Sequence, residues 1–420
     1  MKTEQQRPVN KVPLLTGAIV LVASIAILTI VPIIRRSQNN QKSVKLLSNS
    51  DPRQRESGIA NLSVTIHPSL TQKLITLLFD EDEYVRINAA IALRRIGSYA
   101  VQPLLATLEG NRPVKLFPGY VLKSSRDAVI FTLTNIDPEV TEILAQNITR
   151  DHPQSRGVVQ ETLIRIGKPC LPTIISKLRE SQDSTFLILG CNIVAHIGDS
   201  GIASLSNLLN STDENFKLQK QIVQSLGNSN SDSALPTLKQ TLGNPRLKGT
   251  ALSAIGRIGT PKSIDFLAQY SRTVKPSHIL AIALGGNNNL KSVSILTRWL
   301  DHEEANIVEA SALGLSNANN NPALIEKLLF LLKSRHPAAD ESAYTLGKLR
   351  SRKSIPLLLK ATNEGEPIQL RINAIIALKN IPAPSTYNDM VKLTEDLSPD
   401  VKRFAQEAVQ AFVSSGGSRP

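Results

Sequence analysis

The chain has 420 residues and a formal net charge of +13, and only 4% of its residues are aromatic. Residues 1–45 hold seven Lys or Arg and one carboxylate, so this short stretch supplies nearly half of the excess. The rest is spread thinly over the remaining chain, which argues against a nucleic-acid-binding protein. Cys170 and Cys191 are too few for a disulfide framework and lack metal-site spacing, so we expect small buried residues.

An apolar stretch follows the basic tail of residues 1–11. Residues 12–34 contain no charge, and a helix of this length spans about 34 Å, enough to cross a hydrocarbon core of about 30 Å. The sequence therefore predicts one transmembrane helix over 12–34 and a polar linker over 35–50. A signal peptide cleaved near Ala26 is the alternative, but the apolar run exceeds a typical h-region of about 7–15 residues. The basic residues at the two flanks lean towards a cytoplasmic repeat region.

The stretch from Asp80 to Gly97 has the features of one complete helix. Asp80 or Asp82 can cap its first turn, and a stripe of apolar residues follows at helical spacing. Gly97 is expected to end it in the left-handed conformation. Ile87 and Ile91 lie roughly opposite the stripe, so we expect this second side to face a neighbouring repeat.

The same pattern recurs along the chain. Leu370–Pro382 matches Val85–Gly97 at eight of thirteen positions. The closing glycine returns at Gly167, Gly198, Gly227 and Gly259, and a second apolar helix follows each stop. A period of about 30 residues is typical of a solenoid. The sequence therefore predicts an all-α, right-handed α-solenoid of about 11–12 helix pairs over residues 51–413, with a flexible tail over 414–420.

The pattern acidic-x-x-V-R-x-x-A-A-x-A-L-x-x-I-G resembles HEAT repeats, in particular the short HEAT-like repeats of phycobilisome (PBS) lyases. The resemblance covers about residues 50–413. It is strongest in the units that begin at Asp80 and near Glu366, and weakest from Arg112 to Ile148. It implies a stack of helix pairs and specifies function poorly.

A basic side chain recurs near the start of the first helix, at Arg55, Arg86, Arg156, Lys248, Arg371 and Lys402. The HEAT-like resemblance implies that it pairs with an acid of an adjacent repeat. Asp51, Asp82 and Asp400 recur with it, which favours an internal ladder. A row of positive charges for an acidic partner is the alternative. Leu187 and Phe216 replace the base in two units, so we expect the ladder to be broken there.

No pattern of catalytic or metal-binding residues emerges. Deoxyhypusine hydroxylase, a HEAT-repeat enzyme, holds a di-iron centre with several His-Glu pairs, whereas this chain has one, His302-Glu303. We therefore expect no metal and no cofactor, and we nominate no catalytic residue. A basic cluster is predicted in the turn between two helices of one repeat, either as a solvated turn or as a patch for an anionic partner. It consists of Lys348, Arg350, Arg352 and Lys353.

The combination of an apolar span and HEAT-like repeats indicates a single-pass membrane protein whose solenoid is a scaffold for protein partners. The resemblance to PBS lyase repeats implies an alternative, a phycobilin lyase or chromophore-handling factor. Nucleic acid is not expected as a partner, because the repeat region lacks a strong basic groove.

Overall fold

The computed structural model describes residues 41–62, 68–109, 116, 122–136, 139–212, 215–381 and 383–414. These residues are helical apart from turns and an isolated bridge between Leu116 and Ser124. The basic tail, the predicted transmembrane helix at 12–34 and the chain after Ser414 lie outside the described residues. Residues 41–46, which the sequence assigned to a linker, are helical, and Ser43 and Leu47 are buried. Within the described ranges, no helix is both long and apolar enough to cross a membrane.

The chain divides into two compact units, residues 1–176 and residues 177–420. The first unit contains α1 (Pro52–Ala60), α2 (Thr71–Leu77), α3 (Glu83–Ile96), α4 (Val101–Ala106), α5 (Ser125–Thr134), α6 (Val140–Gln146) and α7 (Pro153–Ile166). The next helix, α8 (Leu171–Glu180), includes the boundary between the units.

The second unit continues with α9 (Ser184–His196), α10 (Asp199–Asn210), α11 (Phe216–Asn228), α12 (Leu235–Thr241), α13 (Lys248–Ile258), α14 (Pro261–Tyr270), α15 (His278–Leu284) and α16 (Leu290–Trp299). Its remaining helices are α17 (Ala305–Gly314), α18 (Pro322–Lys333), α19 (Ala339–Lys348), α20 (Ile355–Ala361), α21 (Ile368–Asn380), α22 (Tyr387–Leu393) and α23 (Pro399–Ser414).

Successive helices form repeats, each with an odd-numbered first helix and an even-numbered second helix. The described residues hold eleven such pairs, repeats 1 to 11, and a final single helix, α23. Within each unit, every first helix packs on the first helix of the next repeat, and every second helix packs on that same neighbouring first helix. This arrangement confirms the predicted all-α solenoid of HEAT-like helix pairs. Its handedness stays a prediction.

Local sequence explains the bounds of α3. Asp82 Oδ1 accepts the backbone N–H of Val85 at 3.0 Å, which caps the first turn. Gly97 ends the helix at φ 73° and ψ −144°, outside the left-handed helical region that the sequence predicted but still a conformation that glycine adopts without strain. The expectation for Ile91 is wrong, since it is 42% exposed. Small residues such as Ala90, only 2% exposed, lie on the buried side instead.

Candidate functional site

Arg371, near the start of α21, connects the two turns that flank repeat 11. Its guanidinium forms an ion pair with Asp396 in the turn before α23, and the two side chains are only 5% and 3% exposed. Its Nε also donates to the backbone oxygen of Thr362, at 2.9 Å, in the turn before α21. A charge-assisted pair of this kind fixes both turns relative to the helix between them.

The charged state of Asp396 is stabilised by its neighbours. Burial alone would raise the pKa of this carboxyl, but the backbone N–H of Ser398 and the Arg371 guanidinium outweigh burial and hold the pKa below its usual value. The pair is therefore ionised at neutral pH and has a structural role inside the repeat.

Arg55 repeats this arrangement in repeat 1. Its Nη2 lies 2.8 Å from Asp80 Oδ1 in the turn before α3. Its Nη1 donates to the backbone oxygens of Asn49 and Ser50, in the turn before α1, at 2.8 Å each. The partner acid is thus Asp80, two residues earlier than the expected Asp82.

The acids that were expected in the ladder have other roles. Asp51 Oδ1 accepts the N–H of Arg53 at 2.9 Å and caps α1, as Asp82 caps α3. Arg86 is fully buried and donates to the backbone oxygens of Asp80 and Glu81, at 2.8 and 2.9 Å. Asp400 makes only an exposed local pair with Arg403 at 3.6 Å among the described residues.

The other basic positions do not continue the ladder. Arg156 is half-buried, Lys248 and Lys402 are exposed, and none of the three forms an ion pair with a described residue. Where the base is missing in repeat 5, Leu187 is buried. In repeat 6, the guanidinium of Arg246 lies 4.2 Å from the centroid of the Phe216 ring. A cation–π contact thus takes the place of the arginine–carboxylate pair.

The repeating glycines fall into two groups. Gly97, Gly167, Gly198 and Gly259 have positive φ values of 73°, 73°, 92° and 65° and end first helices, as the stop pattern predicted. Gly227 instead lies inside α11, so the prediction of a stop is wrong there. A Cβ on Gly227 would lie 2.6 Å from the Cα of Ala254 in α13. This glycine therefore allows two first helices to approach closely.

A second set of ion pairs, which was not predicted from the sequence, links successive repeats in the second unit. Each pair joins a lysine to a carboxylate of the preceding repeat: Lys262 to Asp232 at 3.5 Å, Lys291 to Asp265 at 2.7 Å, Lys327 to Asp301, and Lys353 to Glu326. A carboxylate followed by a lysine nearly one repeat later is the signal that could have found them. Each pair has at least one solvent-exposed side chain, so each contributes little to stability.

The predicted basic cluster lies in the turn between α19 and α20. Lys348, Arg350, Arg352 and Lys353 are all exposed. Lys348 lies over the ring of Tyr344 at 5.7 Å, and Lys353 pairs with Glu326. Part of the charge of the cluster is therefore compensated. Arg350 has a φ of 50° and lines a cleft of about 260 Å³ near α21 and α23.

A patch of apolar and acidic side chains lies on the first helices of repeats 8 to 10. Ile282 on α15 and Leu313 on α17 are 56% and 48% exposed. Glu309 lies one helical turn before Leu313, on the same side of α17. Burial raises the pKa of Asp340 and of Glu341 on α19, and repulsion from Glu309 adds to both shifts. We call these five residues the first-helix patch.

The first-helix patch lacks a counter-charge. Glu309, Asp340 and Glu341 form no ion pair with any described residue, and Glu341 Oε2 is buried without a hydrogen-bond partner there. Carboxylates with raised pKa values and no compensating cation occur more often at functional sites than elsewhere. The patch can therefore receive a positively charged group that sits beside an apolar one.

The cysteines and the potential metal ligands among the described residues do not form a candidate site. Cys170 and Cys191 are buried and free, and burial raises their pKa values to about 11 and about 12, so both are protonated at neutral pH. Among the residues that the structure describes, no group of three or more His, Cys, Asp or Glu could hold a metal ion.

A model for HEAT repeats matches residues 202–279, and a model for the PBS lyase HEAT-like repeat matches residues 85–110. No curated protein sequence matches the chain. Similar solved structures include an engineered protein, 16% identical with a TM-score of 0.28, over 89% of this chain and 99% of that chain. Human deoxyhypusine hydroxylase in complex with glycerol is 17% identical with a TM-score of 0.28, over 66% of this chain and 97% of that chain. The Kap95:Nup1 complex is 10% identical with a TM-score of 0.42, over 89% of this chain and 60% of that chain.

Proposed function

We propose that this chain, which contains HEAT repeats and a PBS lyase HEAT-like repeat, is a scaffold that binds protein partners on the surface of its helix stack. The first-helix patch is the observation that carries the proposal. It combines exposed apolar side chains with carboxylates that have no counter-charge, which a partner can both cover and neutralise.

The apolar component supplies the contact area. Ile282 and Leu313 lie on the adjacent helices α15 and α17, so a partner segment laid across these helices would cover both side chains. Removing exposed aliphatic side chains from water contributes about 25 cal/mol of favourable free energy per Å² of apolar area buried. A single exposed aliphatic side chain needs no explanation, whereas two on neighbouring helices beside half-buried carboxylates form a coherent surface.

The acidic component supplies selectivity. Asp340 and Glu341 lie in the first turn of α19, where the helix dipole favours negative charge. Their raised pKa values show that burial and mutual repulsion outweigh this stabilisation. A lysine or arginine of a partner would relieve the repulsion, so the patch fits a segment that alternates apolar and basic residues.

Site-specific photocrosslinking tests this surface. We expect a benzoylphenylalanine at Leu313 in the full chain to form reproducible adducts with a protein partner. The same group at Ser294, an exposed position on α16, serves as the matched control. Adding Glu309→Lys and Glu341→Lys should abolish the Leu313 adducts. Failure to form adducts, or the same adducts at Ser294, would contradict the assignment of the surface.

The membrane anchor at residues 12–34 and a cytoplasmic position of the repeats belong to the same proposal. They are supported by 23 consecutive uncharged residues and by the basic residues that flank them. Membranes washed at alkaline pH should retain the chain, and protease added to intact cells should leave the repeats uncut. Release by the wash would remove the anchor from the proposal, and cleavage outside the cell would reverse the orientation.

Phycobilin lyase activity remains the second candidate, favoured by the match of the PBS lyase HEAT-like repeat at residues 85–110. Incubating the chain with a bilin and an apo-antenna protein tests it directly. A covalent adduct with a shifted absorption spectrum supports the activity, and an unchanged spectrum contradicts it.

A further inference from the structure

Charge is unevenly distributed within the second unit. From Asn215 to Leu300 the sequence holds eleven Lys or Arg and two carboxylates. From Asp301 to Asp396 it holds eleven Lys or Arg and twelve carboxylates. The net charge of the whole chain conceals this difference, because the positive excess of the second unit is concentrated in repeats 6 to 8.

The uncompensated cations of repeats 6 to 8 include five near the turns that connect one repeat to the next. Arg246 precedes α13 and Lys248 is its first residue. Arg272 and Lys275 precede α15, and Arg298 is in the last turn of α16. Because α13, α15 and α17 pack side by side, the turns that lead into them lie along one edge of the stack. All five side chains are exposed, and we call them the basic edge.

Intramolecular ion pairs among the described residues do not neutralise the basic edge. The two carboxylates of repeats 6 to 8 are engaged elsewhere, Asp232 with Lys262 at 3.5 Å and Asp265 with Lys291 at 2.7 Å. No residue of the basic edge forms an ion pair with a described residue. In repeats 1 and 11 the corresponding turns hold Asp80 and Asp396, which neutralise an arginine of their own repeat.

Cations of the basic edge do not stabilise the helices that follow them. Lys248 is the first residue of α13, whose first turn contains no acidic side chain. The positive end of the helix dipole disfavours a cation there by about 0.3–1 kcal/mol. Lys248, and Arg272 and Lys275 in the next such turn, carry positive charge that no ion pair with a described residue stabilises. Such departures from local consistency are typical of functional sites.

We propose that the basic edge binds an extended, acidic polypeptide segment. The inference rests on the proposed function, since it specifies the chemistry of one part of a protein partner. First helices pack about 10 Å apart, so three turns span about 20 Å. About six residues of an extended chain cover that length. An acidic side chain at every second residue would meet the edge from one side of such a segment.

The end of the edge at α17 favours a short acidic segment over a nucleic acid or a membrane. The turn into α17, which follows Arg298, contains Asp301, Glu303 and Glu304. Carboxylates at this end repel a continuous polyanion or an anionic lipid surface. They tolerate an acidic run of a few residues flanked by neutral or basic ones.

Fluorescence anisotropy with a labelled hexaglutamate peptide flanked by glycine and serine tests the inference on the full chain. Lys248→Glu, Arg272→Glu and Lys275→Glu combined should weaken binding by about 10-fold to 100-fold. Arg246 is left unchanged because it packs on Phe216. Lys73→Glu, Lys333→Glu and Lys360→Glu, three exposed cations of repeats 1, 9 and 10, form the control and should change affinity less than about 3-fold. Equal losses in both triple variants would overturn the proposal.

The same titration with a 20-base-pair DNA duplex and with phosphatidylserine vesicles separates the partner classes. Tighter binding of either than of the peptide overturns the choice of a polypeptide. Absence of peptide binding while Leu313 still forms protein adducts overturns this inference alone. Loss of the Leu313 adducts while the peptide still binds removes the first-helix patch and leaves the basic edge supported.

Discussion

Repeats 11 and 7 place opposite chemistry at the same position of one fold. In repeat 11, Arg371 is buried and pairs with Asp396 in the turn that follows its second helix. In repeat 7, the corresponding base is Lys248, which is exposed, and the turn after the second helix contains Arg272 and Lys275 in place of an acid. The buried ion pair of repeat 11 joins the two turns that flank the repeat, whereas the cations of repeat 7 face solvent.

The comparison shows that the arginine–carboxylate pair is dispensable for stacking. Around repeat 7, Gly227 brings α11 against Ala254 of α13, and Gly256 of α13 approaches Ala283 of α15. Exposed lysine–carboxylate pairs link the second helices there. Close helix packing holds these repeats, so the connecting turns are free to vary and to contact a partner.

The largest effect is expected from breaking the pair in repeat 11. Arg371→Met leaves the Asp396 carboxylate buried without its partner, so we expect a loss of about 3–5 kcal/mol in the free energy of unfolding of the C-terminal repeats. Urea unfolding followed by circular dichroism measures it. Arg403→Met, which removes an exposed local pair, is the control and should cost less than about 1 kcal/mol. Similar losses in both variants would show that Arg371 does not hold the repeat.

The pH dependence of this loss has a definite sign. The pKa of Asp396 is lowered in the folded chain, so its stabilising contribution is present above the unfolded pKa of about 3.9 and is lost as pH falls through the folded value. The difference between the wild type and Asp396→Asn should therefore be large at neutral pH and shrink in acid. A difference that stays constant down to the folded pKa would contradict the ion pair.

A smaller effect should follow from filling the contact that holds repeats 6 and 7 together. The Cβ of Gly227→Ala would lie 2.6 Å from the Cα of Ala254, which forces α11 and α13 apart. We expect a net loss of about 1–2 kcal/mol despite the better helix propensity of alanine. Gly365→Ala, with no atom within 4 Å of its Cβ, is the control. A stabilised Gly227→Ala chain would show that the helices are not packed this closely.

Glu341→Gln should stabilise the chain slightly. Because the pKa of Glu341 is raised in the folded state, its charged form disfavours folding at neutral pH. We expect thermal unfolding to shift upward by about 1–3 °C at pH 7. The gain should disappear as pH falls below the raised pKa, where the glutamic acid is already neutral. Glu364→Gln, at an exposed turn, should leave the midpoint unchanged, and a destabilised Glu341→Gln would argue that the charge is compensated.

The smallest effect is expected from the exposed pairs. Lys291→Ala removes the pair with Asp265, in which the side chains are 56% and 44% exposed. We expect at most about 0.5 kcal/mol, reduced further in high salt. Chemical unfolding at two salt concentrations measures it. A salt-insensitive loss above about 2 kcal/mol would mean that the lysine is part of the packing.

Much of the repeat architecture could be predicted because it depends on local chemistry. Caps such as Asp82, apolar residues at helical spacing and glycines such as Gly97 act within one helix or one turn, so their pattern indicates where helices begin and end. The candidate site could not be predicted in the same way. The first-helix patch joins Glu309 to Glu341 across two repeats, and a variable spacing of repeats hides such neighbours from a sequence.

By itself the sequence determined a chain of HEAT-like helix pairs, the basic positions that recur in it and an apolar stretch long enough to cross a membrane. Only the tertiary structure decided that Arg55 pairs with Asp80, that Gly227 lies inside a helix, and that the cations near α13 and α15 share one edge. The reason is geometric. An ion pair or a patch depends on which turns and faces the packing of helices brings within a few ångströms, and that packing is set by side chains far apart in the chain.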